Sequence, residues 1–199
     1  MKIGIIGAGG IGQAFAGHVA RAGYELVLSN NRDPDSLAEI ARALGPRTSV
    51  ATREQAAQAD VVMLAVPWLQ VEAALSGLPP WKGRILIDAT NPVVGPGFQA
   101  AELGGSTSSE VVASLAPGAR VVKAANTLPR TLLASDPHEA GGRRVLFVSG
   151  DDADARKDVS GILQRSGFAT IDLGDLASGG KLQQFPGGPL PTLNLIKLG

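Results

Sequence analysis

Three glycines, Gly7, Gly9 and Gly12, follow an apolar run at residues 3–6 with the spacing G-x-G-x-x-G, and an amphipathic segment follows at 13–22. This spacing suits a diphosphate. The first glycine permits a tight turn, the second lets the backbone approach the phosphates, and the third lets a helix pack closely on a strand. The unpaired N–H groups and positive dipole end of the helix then attract the negative charge. A glycine-rich turn without a ligand is the alternative; a strand before the motif and a helix after it argue for the binding role.

The second strand, at 25–28, ends in Ser29-Asn30-Asn31-Arg32. A carboxylate at such an end receives a ribose 2′-OH, as in NAD sites, whereas a nearby arginine accommodates the 2′-phosphate of NADP. No acid precedes Asp33, and Arg32 is positioned to pair with a 2′-phosphate while Ser29, Asn30 and Asn31 donate hydrogen bonds. The motif therefore favours NADP(H). Two alternatives stay open. Asp33 is either that ribose acid or, just before Pro34, a helix cap; Arg32 is either a phosphate ligand or an ordinary surface charge.

Three further loops follow strand ends and are expected to ring a nicotinamide: Ala65-Val66-Pro67-Trp68, Thr90-Asn91-Pro92 and Lys123-Ala124-Ala125-Asn126-Thr127. Reduction of a carbonyl or imine wants a positioned proton donor. Lys123 is the one candidate base at the right edge, its alternative role being a strand-end residue bonding a carbonyl or carboxylate. Tyr24 lies at the wrong end of the sheet, His18 reads as a packed helix residue, and His138 as a solvated loop residue. Asp88 stands as a single structural carboxylate, and Asp151-Asp152 reads as helix capping. Hydride passing between two flat rings held face to face needs mainly positioning, and this scarcity of acids suits it.

The elements that must carry these loops alternate. Strands are predicted at 25–28, 47–50, 60–66, 84–89, 119–124, 144–149 and 168–173, with helices from 33 to about 44 and at 52–59, 69–75, 109–115, 152–164 and 176–184. This pattern predicts an α/β fold, a Rossmann-type doubly wound parallel sheet with a small C-terminal extension. Residues 1–127 are expected to form the dinucleotide-binding domain. Residues 128–199 are expected to form a small lobe packed on it, carrying substrate or dimer contacts and ending in an apolar tail at 190–199 that covers a neighbour or a second subunit. Lysine plus arginine and aspartate plus glutamate number 18 each, so no net field favours nucleic acid or an anionic membrane. With no cysteine and two histidines, no metal site is expected. The longest apolar run, 61–66, is too short for a bilayer, and no signal peptide is read, so a cytoplasmic protein is expected.

Taken in order, Ile3–Gly12, 28–32, 65–68, 88–92, 122–127, Gly150-Asp151-Asp152 and Gly188-Pro189-Leu190 resemble the NADPH-dependent coenzyme F420 reductase family, also called F420H2:NADP oxidoreductases, and above all its bacterial dinucleotide-binding branch. The resemblance covers nearly the whole chain. It implies a homodimer that transfers hydride between NADP(H) and a deazaflavin, coenzyme F420, as small-molecule acceptor. Gly9, Gly10, Ile11 and Gly12 would then bind the diphosphate and Arg32 the 2′-phosphate. Pro67, Trp68, Asn91 and Asn126 would shape the nicotinamide end, with Ala65, Val66, Pro92 and Ala125 beside them. Thr127 and the Gly187-Gly188-Pro189-Leu190 loop would face the second ring. Two positions depart from the pattern: archaeal members carry serine and then arginines where Asn30-Asn31-Arg32 stands, and the branch has phenylalanine at Ala125, an exchange expected to open the pocket. The C-terminal loop also lacks the polar residues that follow proline-leucine in the F420 enzymes.

Overall fold

The computed structural model describes residues 1–31 and 34–199. The strands are Lys2–Ile6 (β1), Glu25–Ser29 (β2), Thr48–Val50 (β3), Val61–Leu64 (β4), Ile85–Asp88 (β5), Val93–Val94 (β6), Gln99–Ala100 (β7), Arg120–Ala124 (β8), His138–Glu139 (β9), Gly142–Gly150 (β10), Ala169–Asp172 (β11) and Ile196–Leu198 (β12). The helices are Gly10–Arg21 (α1), Ala38–Leu44 (α2), Arg53–Ala56 (α3), Val71–Leu75 (α4), Ser108–Leu115 (α5), Arg130–Ala134 (α6), Ala153–Arg165 (α7) and Gly179–Gln183 (α8).

The main sheet runs β3-β2-β1-β4-β5-β8-β10-β11, with β9 and β12 also paired to β10, while β6 and β7 form a separate ribbon. From β3 to β8 every pairing is parallel. The order reverses at β1, the switch point outside whose carboxyl end ligands bind in such sheets.

Period-two alternation divides the core. Ile3 and Ile5, Val61 and Met63, and Ile85 and Ile87 join the cluster shared with α1, α2 and α7. Ile6, Val62, Leu64 and Leu86 join the opposite cluster, with α3, α4 and α5. Each such aliphatic side chain, fully buried, contributes about 1.5–3 kcal/mol relative to exposure. Position 4 faces the second cluster, and a Cβ there would stand 2.0 Å from the Ala56 carbonyl oxygen, which is why glycine occupies it.

The fold is the Rossmann-like α/β architecture expected, with local departures. β10 runs antiparallel to β8, a direction that periodicity does not encode. The helix predicted at 52–59 is confined to α3, where Thr52 and Gln55 form a capping box. The one predicted at 69–75 begins as a 3-10 turn over Trp68–Gln70. The one predicted at 176–184 shrinks to α8, whose start Gly179-Gly180 has low helix propensity. Asp152, rather than Asp151, caps α7 by accepting from Ala155 N–H at 2.7 Å, and Asp151 accepts from Leu176 N–H at 3.0 Å. The apolar tail supplies β12, antiparallel to β10 of its own chain. Segment 128–199 therefore continues the main sheet through β10 and β11. The helix start expected at Asp33 lies outside the described residues. No helix among the described residues is long and apolar enough to cross a membrane.

His18 is buried in α1, with Nε2 donating to the Leu133 carbonyl at 2.6 Å and Nδ1 accepting from Arg21 at 2.9 Å. Its ring meets that of Phe168 edge-on, with centroids 4.8 Å apart. Burial pushes its pKa below the ordinary imidazole value. The unfolded chain therefore takes up this proton at a higher pH than the folded one, and stability falls as pH drops below about 6.5. Denaturation melts between pH 7.5 and 5 should show this loss, and His18→Gln should flatten it.

Candidate functional site

The site is built at the carboxyl end of β1. Gly7 adopts φ +100°, a left-handed conformation open to glycine. Its N–H and that of Ala8 both donate to the Ser29 carbonyl, at 3.0 and 3.2 Å, tying the turn to the end of β2. Gly9 is the N-cap of α1 and makes no side-chain cap. A Cβ at Gly9 would meet nothing within 4 Å, whereas one at Gly12 would stand 2.2 Å from the Gly7 carbonyl oxygen. Gly9 thus keeps space open over the helix, and Gly12 lets helix and turn touch. These two features, with the uncapped N–H groups of α1, fit a dinucleotide diphosphate.

A cavity of about 690 Å³ opens beside this turn. Of the residues expected from sequence to bind cofactor, Gly7, Gly9, Asn30, Asn31, Ala65, Val66 and Pro67 line it. It is also lined by Gln13, Ser36, Thr52, Arg53 and Gln70, which sequence reading missed. Gln13 Nε2 donates to the Ala8 carbonyl at 2.8 Å and so braces the turn. Asn30 Nδ2 donates to Ser36 Oγ at 3.0 Å. The G-x-G-x-x-G pattern carries no signal for these residues, of which Ser36 precedes α2, Thr52 and Arg53 start α3, and Gln70 ends the turn before α4.

The remaining expected residues are placed otherwise. Ser29 is fully buried and its hydroxyl donates to the Ile5 carbonyl at 2.9 Å, so the hydrogen bond expected from it toward a phosphate is engaged inside the fold. Ile11 packs against the α1-side core, and Trp68 against the opposite one. Gly10 lies under the Arg130 side chain. Arg32 lies outside the described residues. Ala125 adopts φ +58° and is 1% exposed within the core.

At the ends of β5 and β8 a hydrogen-bond network joins elements far apart in sequence. Asn91 Nδ2 donates to the Asn126 carbonyl at 2.8 Å, and Asn126 Nδ2 donates to Asn91 Oδ1 at 2.9 Å and to the Gln183 carbonyl at 2.8 Å. Asn91 Oδ1 also accepts from Phe185 N–H at 3.0 Å. Gln183, wholly buried, donates to Asn126 Oδ1 and the Phe147 carbonyl, both at 3.2 Å, and accepts from Ser149. Thr127 accepts from Thr192 N–H at 2.7 Å, and Leu190 N–H donates to the Leu182 carbonyl at 3.2 Å. Gly188 N–H donates to the Gln184 carbonyl at 2.8 Å, and a Cβ at Gly188 would collide with that loop's own carbonyls. Gly187 and Pro189 flank it, and Pro92 accepts from Ala101 N–H at 2.8 Å at the start of the β6–β7 ribbon.

Lys123 is fully buried, and its Nζ lies 3.3 Å from Asp88 Oδ2, 3.1 Å from the Thr90 carbonyl and 3.2 Å from Ser108 Oγ. Of its two roles weighed from sequence, this geometry matches the structural one: the ammonium is enclosed and not presented to the cleft. Asp88 in turn has the partner that sequence reading did not give it. Tyr24 is buried beside Arg165, and His138 is exposed on β9 beside Asp136. Among the described residues no cluster of histidine and carboxylate side chains is placed to hold a metal ion.

Comparison with known proteins gives this geometry a lineage. Residues 2–92 match the model of the family described as NADP oxidoreductase, coenzyme F420-dependent. The crystal structure of a hypothetical protein, SMa0349, from Sinorhizobium meliloti is 43% identical, with TM-score 0.93 over 99% of this chain and 96% of that one. A protein from Arthrobacter sp. FB24, assigned provisionally as an F420-dependent NADP reductase, is 31% identical, with TM-score 0.75 over 88% of this chain and 86% of that one. Metalloreductase STEAP3 of Rattus norvegicus is 28% identical over 96% of this chain but only 37% of its own length. The chain thus spans little more than a third of the curated relatives it matches. On the family model and the Arthrobacter relative together, the chain belongs to the coenzyme F420-dependent NADP oxidoreductase family.

Proposed function

We propose that the protein transfers a hydride between NADPH and a flat redox ring of the deazaflavin type, coenzyme F420. One observation carries this reading: at the ends of β4, β5 and β8 the side chains are apolar, amide or threonine hydroxyl, the Thr90 hydroxyl is taken up by Asp88, and the one lysine there is enclosed with the same carboxylate. Such a site offers alignment rather than a proton, which suits ring-to-ring transfer. When bound, the dinucleotide supplies the transferable hydride. Gly9, Gly10 and Ile11 hold the diphosphate in this reading, with Gly12 packing the helix onto the turn, and Asn30, Asn31 and Arg32 hold the 2′-phosphate. Pro67, Trp68, Asn91 and Asn126 orient the nicotinamide end. Thr127 and Gly187-Gly188-Pro189-Leu190 approach the acceptor, the loop being tethered through Phe185 to Asn91. The reading includes a homodimer acting on small molecules in the cytoplasm.

Stopped-flow mixing of the protein and NADPH with oxidised F420, followed by loss of deazaflavin absorbance, tests it, with NADH and FMN run alongside. Fast bleaching with NADPH supports it; bound NADPH with F420 left oxidised removes the deazaflavin. The similarity to STEAP3 across 96% of this chain favours a second reading, with a flavin or ferric chelate as acceptor. Reduction of FMN or a ferric chelate in the same mixing experiment would select it.

Arg32→Ala tests the nucleotide choice. A hydrogen bond to a charged group contributes about 1.5–3 kcal/mol. The variant should therefore lose roughly 10- to 100-fold of its preference for NADPH over NADH, measured as the ratio of dissociation constants.

A further inference from the structure

We propose that Arg130 is a diphosphate ligand of the cofactor site, an assignment that rests on the NADP(H) reading above. Its side chain lies across the first residue of α1: a Cβ built on Gly10 would stand 2.9 Å from Arg130 Cδ and 3.7 Å from its Nη1. Neither the sequence motif nor the cavity lining points to this residue, which enters from α6 after the Asn126-Thr127 loop.

The charge arrangement around it is unfavourable as it stands. Arg130 lies against the positive end of α1, which has no acidic residue in its first turn and no side-chain cap. Arg130 is the first residue of the short helix α6 and its side chain is exposed. Cations are favoured at helix C-termini and disfavoured here. Among the described residues no carboxylate pairs with Arg130. The exposed guanidinium beside the uncapped start of α1 is placed to share an anion with those N–H groups, and guanidinium matches phosphate oxygens in charge and geometry. The Gly9 gap beside it, open for at least 4 Å in the Cβ direction, gives that anion room. The anion is the diphosphate of the cofactor, since the 2′-phosphate belongs at the end of β2.

The test uses wild type, Arg130→Ala and Arg130→Lys with three probes: inorganic pyrophosphate, NADPH and adenosine 2′-monophosphate, which lacks the diphosphate. Pyrophosphate should raise the melting temperature of wild type and not of R130A. The dissociation constant for NADPH should rise about tenfold in R130A and less in R130K, while that for adenosine 2′-monophosphate stays unchanged. Without ligand, R130A should melt no lower than wild type. Wild-type binding of both pyrophosphate and NADPH by R130A overturns the assignment, as does an equal loss of all three probes, which marks a structural role. If pyrophosphate protection depends on Arg130 but wild type binds no NADPH, the assignment of an anion ligand stands and the cofactor reading falls. Failure of pyrophosphate and NADPH alike to stabilise wild type overturns both.

Discussion

Gly12→Ala should lower the melting temperature by roughly 6–12 °C, whereas Gly9→Ala should leave the fold nearly intact and weaken NADPH binding about 10- to 100-fold. The two positions sit three residues apart in one motif, yet their surroundings are opposite. A Cβ at Gly12 would stand 2.2 Å from the Gly7 carbonyl oxygen and 3.3 Å from Ile5 Cγ2. The oxygen belongs to backbone already fixed by two hydrogen bonds to Ser29, so relief requires moving α1 away from β1. Overpacking of this kind costs about 1–3 kcal/mol, more against rigid backbone. At about 3 kcal/mol, a chain of this size loses roughly 2–4 °C per kcal/mol. At Gly9, φ −80° and ψ −165° are open to alanine, and the added methyl meets nothing. Loss of the glycine N-cap costs about 1 kcal/mol or less. The methyl instead occupies the approach to the diphosphate, and a 10- to 100-fold rise in dissociation constant corresponds to about 1.4–2.8 kcal/mol. Thermal melts and NADPH titrations of both variants separate the roles. Equal behaviour of the two would refute the assignment of Gly12 to packing and Gly9 to ligand.

Asp88→Ala should be the most destabilising single change near the site, at about 3–5 kcal/mol, because it strands a buried ammonium. Both side chains are fully buried, and Asp88 accepts from Thr90 N–H, the Thr90 hydroxyl and the Ser109 hydroxyl besides facing Lys123. Removing the carboxylate therefore frees three donors and one charge at once. Lys123→Met on that background removes the stranded charge and should restore more than about 1 kcal/mol, a coupling typical of contacting residues. Urea melts of the two single variants and the double variant measure it. Simple additivity would show that the pair does not act as a unit. The pair holds Thr90 from both sides, its N–H on Asp88 and its carbonyl on Lys123, so the Thr90-Asn91 bend is set by this contact.

That pair also marks how far the sequence can be read. The glycine motif, the strand-helix alternation and the cavity residues at the ends of β1, β2 and β4 follow from local patterns. Asp88 and Lys123 read separately as a lone carboxylate and a candidate base. They meet because β5 and β8 lie side by side with these residues in register, and strand neighbours are not written in either segment. Gln183 was legible only as part of a helix, since its partners Asn126 and Phe147 come from the loop after β8 and from β10. The outward reading of Ser29 failed for a related reason: the last residue of β2 points its hydroxyl at β1. Arg130 gave no signal because α6 is short and lies in a stretch without clear periodicity.

The tether from Phe185 to Asn91 has a bearing on how the chain is made. β1, the middle of the sheet, can pair with β2 and β4 as soon as the first third of the polypeptide has left the ribosome. Asn91 has to wait for an amide 94 residues downstream. At ribosomal rates of about 5–20 residues per second, that interval is roughly 5–20 s. During it the carboxyl ends of β5 and β8 lack the segment that carries Phe185, so the Gly7–Gly12 turn can form well before the Asn91 end of the site is tied down. Synonymous codons that slow synthesis between β8 and α8 are expected to lengthen this exposure.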